Sequence, residues 1–308
     1  DMEHRIVSLL PSATEIVAAL GYQDCLVGRS HECDFPPGVE ALPVCSEPRI
    51  DVSGSSNEID QQVKASLRDA LSIYQVFREE LERLKPSVII TQSQCDVCAV
   101  NLADVQAAVC EMVESKPEIV SLEPMDLSDI WSDIQTVADV LNDAEAGRRL
   151  VDSLQQRLQN LNTMLPESAA RPTVVCIEWL EPLMPAGNWI PELVELAGGL
   201  SLLSEAGKHS PWMTWDDLVT ADPDFIMIMP CGFGIERTKQ ELHLLTEHPS
   251  WPGLKAVQNG NVYLTDGHQY FNRPGPRVVE SAEILFEILH GPNTNDNFGH
   301  EGSGWVRV

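Results

Sequence analysis

The sequence predicts an α/β fold with mostly parallel sheets, divided into two lobes by a long helix. Short apolar runs alternate with segments of helical periodicity in both halves of the chain, a pattern typical of strand–helix–strand units. The length of 308 residues suggests two domains of ordinary size. In the centre, two amphipathic helical patterns follow each other without an apolar strand between them. A long helix at that position would connect the two lobes.

Apolar runs in the N-terminal half end at residues that stop a strand or begin a helix. Pro11-Ser12 ends the first run, Ser12 or Thr14 can cap the following helix, and Gly21 would end it. Lys85-Pro86 separates a long helical pattern from the third apolar run. The predicted strands are Arg5–Leu10, Leu26–Gly28, Val88–Ile90 and Ile119–Leu122, and the predicted helices are Glu15–Leu20, Val63–Leu84 and Val100–Val113.

The central helical patterns cover Leu127–Leu141 and residues 143–164. The second would be roughly 33 Å long as one helix, at about 1.5 Å per residue. Beyond it, the predicted strands are Thr173–Glu178, Phe225–Met229 and Asn261–Leu264, and the predicted helices are Ile190–Ala197 and Val278–Leu289. The predicted domains are an N-terminal lobe (1–125), connecting helices (126–166), a C-terminal lobe (167–290) and a tail (291–308). The Gly- and Asn-rich tail is expected to be loose unless Trp305 and Val306 attach it.

The charge balance excludes two classes of partner. With 20 basic and 47 acidic side chains, the net charge of −27 would repel nucleic acid and anionic lipid. No run of 18 apolar residues is present, so no membrane insertion is expected. The eight cysteines show no regular framework, and residues 1–7 lack the features of a secretory signal, so we expect a cytoplasmic location. A periplasmic location is the alternative if a signal sequence precedes this chain.

Polar and aromatic residues are concentrated directly after the predicted strands. Ligands of open parallel sheets bind beyond the carboxyl ends of the strands, so these residues form the candidate binding site. Trp179 follows a predicted strand, and a flat aromatic group there suits a large planar or macrocyclic ligand. The predicted ligand-binding residues are Ser12, Thr14, His31, Phe35, Gln92, Gln94, Trp179, Trp189, Cys231, Phe233, His268, Tyr270, Phe271, Asn272 and Arg273.

Cysteine and histidine residues in the same loops leave several chemistries open. Cys95 and Cys98 have the spacing of a redox pair or of half a zinc site, although two small buried residues at a helix start would show the same spacing. The candidate metal ligands are His31, Cys33, Cys95, Cys98 and His268, provided that the fold brings their loops together. The sequence contains no G-x-S-x-G elbow, P-loop or G-x-G-x-x-G motif, which argues against a serine hydrolase and a nucleotide-binding enzyme.

Seven segments in succession carry a family resemblance that covers about residues 4–290. They are Ile6–Glu15, Lys85–Ile90, Thr91–Val100, Pro191–Gly199, Ala221–Ile226, Ala256–Tyr263 and Tyr270–Arg277. In this order they resemble the cobalamin and iron-chelate periplasmic binding proteins, the class III substrate-binding proteins with a helical backbone. Thr91–Val100 and Tyr270–Arg277 make the cobalamin-binding branch the most similar.

This resemblance implies two Rossmann-like lobes, each with a mostly parallel sheet flanked by helices, joined by a long backbone helix. It also implies a non-enzymatic solute-binding protein, related to ABC importers, that clamps a cobalamin-type corrinoid between the lobes and docks on a permease through acidic residues. His31 or His268 could ligate the cobalt, and a metal ion such as zinc is a further candidate cofactor. Two alternatives stay open: a metal-, haem- or iron-chelate-binding protein of the same fold, and a metal-dependent enzyme that uses the Cys/His-rich loops.

Overall fold

The computed structural model describes residues 3–48, 55–59, 61, 74–76, 78–92, 102–109, 116–293 and 297–308. The chain divides into two compact units: unit 1 comprises Asp1–Pro124 and Asp129–Asp152, and unit 2 comprises Met125–Ser128 and Ser153–Val308. Each unit contains a mostly parallel sheet and helices, which confirms the predicted α/β fold. None of the described helices has the length and apolar character needed to span a membrane.

Unit 1 is built on a parallel sheet of short, buried strands. The described strands are β1 (Ile6–Ser8), β2 (Leu26–Arg29), β3 (Ser46–Pro48), β4 (Tyr74–Val76), β5 (Val88–Gln92) and β6 (Glu118–Leu122). Four of them form the sheet in the order β2-β1-β5-β6, with all neighbours parallel. Ile6, Val7 and Ile89 are fully buried, as expected for apolar strands covered on both faces.

The strands β3 and β4 form a separate antiparallel pair. The predicted helix Val63–Leu84 is therefore wrong at Tyr74–Val76, and its last part is helical as α2 (Arg78–Leu84). Aromatic Tyr74 and β-branched Val76 favour a strand once a partner is present, and that partner lies far away in sequence. Residues 62–73 lie outside the described part of the chain.

The remaining helices of the N-terminal and central regions are α1 (Pro11–Ala19), α3 (Leu102–Val109), α4 (Leu127–Val140) and α5 (Ala144–Met164). Pro11 stands in the first turn of α1, where its missing N–H has no helical partner to lose. The two predicted central helices are confirmed, and Asn142, with a left-handed φ of 57°, separates them. The division between the two units falls inside α5, after Asp152.

Unit 2 contains a sheet that is parallel in its centre and antiparallel at both edges. Its strands are β7 (Thr173–Leu180), β8 (Leu183–Pro185), β9 (Leu200–Ser201), β10 (Phe225–Ile228), β11 (Val262–Thr265) and β12 (Trp305–Arg307). They follow the order β12-β11-β10-β7-β8, and β9 also pairs with β7. Only β8 and β12 run antiparallel to their neighbours. Val175, Ile177 and Ile226 lie at its fully buried core.

The helices of unit 2 are α6 (Ile190–Leu196), α7 (Trp215–Ala221), α8 (Ile235–Glu241), α9 (His243–Thr246), α10 (Lys255–Gln258) and α11 (Val278–His290). Almost every residue of α11 is buried. The C-terminal residues, expected to be loose, instead end in an edge strand, because Trp305 and Val306 pair with Thr265 and Leu264.

Candidate functional site

The central strands of unit 2 end at the same edge of the sheet. β7, β10 and β11 are parallel neighbours, so the residues that follow them lie side by side. The Cys231 N–H donates to the Glu178 carbonyl (3.0 Å), and the Asn272 side-chain amide lies 3.5 Å from the Met229 carbonyl. These contacts join the three strand ends. The predicted site residues at this edge are Trp179, Cys231, Phe233, His268 and Tyr270–Arg273.

Trp179 and Phe233 form an aromatic pair at this edge. Their ring centroids are 5.4 Å apart, and both side chains are buried. The guanidinium of Arg237 lies 4.3 Å from the Phe233 ring centroid. The indole N–H of Trp179 has no hydrogen-bond partner among the described residues. An unsatisfied buried donor costs about 1–3 kcal/mol, so this N–H is suited to meet an acceptor on a ligand.

Two further buried polar atoms of unit 2 have no partner within the described ranges. One is the side-chain oxygen of Asn188, in the loop between β8 and α6, and the other is the Thr265 hydroxyl at the end of β11. Asn188 adopts a left-handed φ of 54°, which asparagine tolerates better than most residues. Neither residue was identified from the sequence, because nothing in the local pattern shows that a polar atom lacks a partner.

After β11 the chain forms a π-helical turn, Gly267–Phe271. One carboxylate oxygen of Asp266 accepts hydrogen bonds from the N–H groups of His268 (2.9 Å) and Gln269 (2.7 Å). Asn272 donates to the Gly267 carbonyl at 2.7 Å. A Cβ at position 267 would lie 2.3 Å from the backbone oxygen of Pro230, so only glycine fits this close approach. The turn is thereby fixed against the end of β10.

Basic and aromatic side chains on this turn and directly after it contact one another. Arg273 and His268 lie 3.4 Å apart through Nη2 and Nε2. The neighbouring Arg277 donates to the Gln269 side chain at 3.2 Å and lies 5.2 Å from the Tyr270 ring centroid. Burial raises the pKa of Tyr270. Arg277 was not predicted as a site residue, although it belongs to the segment that carries the family resemblance.

Two predicted site residues have packing roles in unit 2. The Trp189 indole N–H donates to the Phe271 carbonyl at 3.0 Å. The Phe271 side chain is fully buried. Together they connect the start of α6 to the π-helical turn, and their contact with a ligand stays a prediction.

A buried carboxyl group stands beside Trp179. The Ser210 hydroxyl donates to Glu178 at 2.5 Å and itself accepts from the Gly187 N–H at 2.9 Å. Burial raises the pKa of Glu178 to about 7, although the Ser210 hydrogen bond opposes that change. The position of Glu178 at the end of an apolar run is the sequence signal for this group, but its partner Ser210 could not be inferred from the sequence.

In unit 1, hydroxyl groups surround the thiol of Cys33. The Thr14 hydroxyl lies 3.0 Å from the Cys33 sulfur and 2.8 Å from the Ser8 hydroxyl, and the Ser30 hydroxyl lies 3.2 Å from the same sulfur. Thr14 and its helix neighbour Ser12 are buried. The structure therefore gives Thr14 an internal hydrogen-bonding role at the end of β1.

His31 lies in the loop after β2, with its Nδ1 at 3.0 Å from the Ser46 hydroxyl and its Nε2 at 3.7 Å from Glu32. Burial lowers the pKa of His31 to about 4, so its imidazole is neutral at pH 7. Phe35 is partly exposed and Gln92 ends β5 half-buried. The predicted residues Gln94, Cys95 and Cys98 lie outside the described residues.

A family model described as "Periplasmic binding protein" matches residues 6–268 of this sequence. The chain belongs to the periplasmic binding protein family. The resemblance inferred from the sequence is thus confirmed, and so is a binding protein rather than an enzyme. The predicted cytoplasmic location is wrong, because the family and the solved structures that match are periplasmic. The cysteine spacing and N-terminal residues were insufficient grounds for it.

Relatives of this periplasmic binding protein include a vitamin B12-binding protein of Vibrio cholerae serotype O1. It is 24% identical over 290 residues, which cover 92% of this chain and 88% of the relative. The solved periplasmic vitamin B12 binding protein of Vibrio cholerae has a TM-score of 0.64 at 22% identity, covering 94% of this chain and 98% of that one. A periplasmic haem binding protein from Pseudomonas aeruginosa has a TM-score of 0.70 at 19% identity, covering 94% of each chain. The structural likenesses establish the fold.

The metal prediction receives no support from the described part of this periplasmic binding protein. Within it, no group of three or more His, Cys, Asp and Glu side chains is placed to hold a metal ion. His31 and Cys33 belong to unit 1 and His268 to unit 2. A composite metal site of these residues with Cys95 and Cys98 stays a prediction.

Proposed function

We propose that this protein is the solute-binding component of an ABC importer and that its ligand is a cobalamin-type corrinoid. Relatives named vitamin B12-binding protein align over more than nine-tenths of the chain. The strand-end residues predicted from the sequence would contact the ligand. A membrane permease would be its partner.

The buried Trp179–Phe233 pair carries this proposal, because within the described ranges the Trp179 indole N–H has no hydrogen-bond partner. An aromatic wall with a few placed polar groups is the usual composition of a site for a large ring-shaped ligand. The corrin ring presents apolar faces, and its peripheral amide carbonyls can accept a hydrogen bond from the Trp179 N–H. Contact with the ring would bury apolar area, while the amide would satisfy a donor that has no partner among the described residues.

A second candidate ligand is haem or an iron chelate. His268, Tyr270 and Arg273 lie on or beside one turn at the strand ends. Histidine and tyrosine are iron ligands in haem proteins, and arginine pairs with carboxylates such as haem propionates. This arrangement favours haem over a bare metal ion.

Titration of the purified protein with cyanocobalamin and, separately, with haemin distinguishes the candidates. Calorimetry and the absorbance spectrum would follow each titration, and elemental analysis would detect a resident metal. Saturable, equimolar binding of cyanocobalamin at micromolar concentration or below, tighter than haemin, supports the proposal. Binding of haemin alone would establish the second candidate, and no cobalamin binding at those concentrations would refute the first.

A further inference from the structure

The C-terminal residues 297–307, which we call the C-terminal strap, are anchored to helix α11 by one carboxylate. Oε1 of Glu287 accepts hydrogen bonds from the backbone N–H groups of Phe298 (2.9 Å) and His300 (3.1 Å). Its Oε2 accepts from the Trp305 indole at 2.7 Å. Hydrogen bonds to a charged acceptor are stronger than neutral ones, and this carboxylate is buried. The strap is therefore an ordered part of unit 2.

The strap also contacts the residue that fixes the π-helical turn. Its strand β12 pairs with β11, with Trp305 opposite Thr265. The Gly304 carbonyl accepts a hydrogen bond from the N–H of Asp266 at 3.1 Å. Asp266 is the residue whose carboxylate holds the first N–H groups of the turn. The backbone of the strap thus supports the base of Gly267–Phe271.

His300 links the strap to both α11 and the turn. Its Nε2 lies 3.2 Å from Oε1 of Glu283, and its ring meets the Tyr270 ring edge-on at 6.2 Å. Hydrogen bonding to Glu283 raises the pKa of His300, against the effect of burial. The titratable and charged groups around it are Glu280, Glu283 and Glu287 of α11, Tyr270 of the turn, and Arg157 of α5, which pairs with Glu280 and Glu283.

We propose that the C-terminal strap positions the π-helical turn for ligand binding, with His300 as the positioning residue between Glu283 and Tyr270. The turn is held on one side by β10, through Gly267 and Asn272. The strap holds it on the other side. A turn that is fixed before binding loses less conformational entropy when the ligand binds. The affinity of the protein for its ligand therefore depends on the strap. The role in ligand binding rests on the proposed function, whereas the effect on the turn is a property of the ligand-free protein.

Hydrogen exchange of the ligand-free full chain tests the effect on the turn. At pH 6, His300→Ala should accelerate exchange of residues 266–271 by about tenfold or more, since a charge-assisted hydrogen bond is lost. His300→Gln keeps a hydrogen-bond donor and should restore part of the protection of residues 266–271. Because glutamine does not titrate, this variant should lose the greater protection that the wild type shows at pH 6 than at pH 8.5. His243→Ala, at an exposed site on α9, is the matched control. Unchanged exchange of 266–271 in His300→Ala, or equal acceleration of 173–180, would overturn the proposal.

Cyanocobalamin titration of the same variants separates this proposal from the proposed function. If wild-type protein fails to bind, the proposed function fails, and the exchange result still decides whether the strap orders the turn. If wild-type protein binds, His300→Ala should bind about tenfold more weakly, mainly by faster dissociation. Equal affinity despite a loosened turn would refute positioning while leaving the proposed function intact.

Discussion

Replacing Glu178 with glutamine should make the free energy of unfolding less dependent on pH between about 4.5 and 7. Burial raises the pKa of Glu178 from 4.5 to about 7, so above pH 4.5 the folded protein retains a proton that the unfolded chain releases. Below pH 4.5 the carboxyl is neutral in both the folded and the unfolded protein. The free energy of unfolding then falls as pH rises from 4.5 to 7. By pH 8 the ionisation of Glu178 lowers the free energy of unfolding by at most about 3 kcal/mol. Glutamine keeps the acceptor for the Ser210 hydroxyl without the titration.

Urea unfolding at pH 5 and pH 8, followed by tryptophan fluorescence, measures this difference. Six of the seven tryptophans lie in unit 2, so the signal reports mainly on the unit that contains Glu178. Glu178→Gln should be within about 1 kcal/mol of wild type at pH 5 and should exceed it by up to about 3 kcal/mol at pH 8. The exposed Glu167→Gln serves as control. A variant less stable than wild type at pH 8 would refute the reasoning, because it would mean that the ionised carboxylate is stabilised in the folded protein.

Three other substitutions or titrations follow from the site. Trp179→Phe should weaken cyanocobalamin binding roughly fivefold to tenfold, the value of about one hydrogen bond. The variant Trp212→Phe, at an exposed position, should bind normally in the same calorimetric titration. The imidazole of His31 should titrate with a midpoint near pH 4 when followed by NMR. Because its pKa is lowered in the folded protein, the free energy of unfolding should fall as pH drops from about 6.5 to 4. A midpoint near 6.5 would contradict the burial of His31. Gly267→Ala places a Cβ 2.3 Å from a backbone oxygen, so it should lower the free energy of urea unfolding by about 1–3 kcal/mol and weaken cobalamin binding. In the control Gly253→Ala the new Cβ meets nothing within 4 Å, so neither quantity should change.

The elements that the sequence predicted well are those with a strong local signal. The apolar runs at Val88–Ile90 and Phe225–Met229 became central parallel strands, and the central amphipathic patterns became α4 and α5. Their periodicity reflects burial directly, so no tertiary information was needed. The same signal failed at Tyr74–Val76, where pairing with Ser46–Pro48 decides the conformation. Edge strands such as β12 are likewise specified by their partner.

Much less of the candidate site could be predicted. Strand ends showed where Trp179 and His268 would lie, because the topology of parallel sheets places ligands there. The pairing of Glu178 with Ser210, and the unpartnered oxygens of Asn188 and Thr265, depend on contacts between segments that no spacing reveals. The hydrogen bond from the Trp189 indole to the Phe271 carbonyl is another contact that no spacing reveals, and the contact of Trp189 with a ligand stays a prediction.

Two buried polar atoms of unit 2 have no hydrogen-bond partner among the described residues, and under the proposed function they would restrict the chemistry of the ligand. The Trp179 N–H requires an acceptor, which either a corrin amide or a haem propionate could supply. The side-chain oxygen of Asn188 requires a donor. An ionised propionate has no proton to donate, whereas a primary amide donates and accepts at once. A ligand that left Asn188 unpaired while displacing water would pay about 1–3 kcal/mol. Under the proposed function, a ring that carries several amides would satisfy both kinds of group, and the paired titrations with cyanocobalamin and haemin test this expectation.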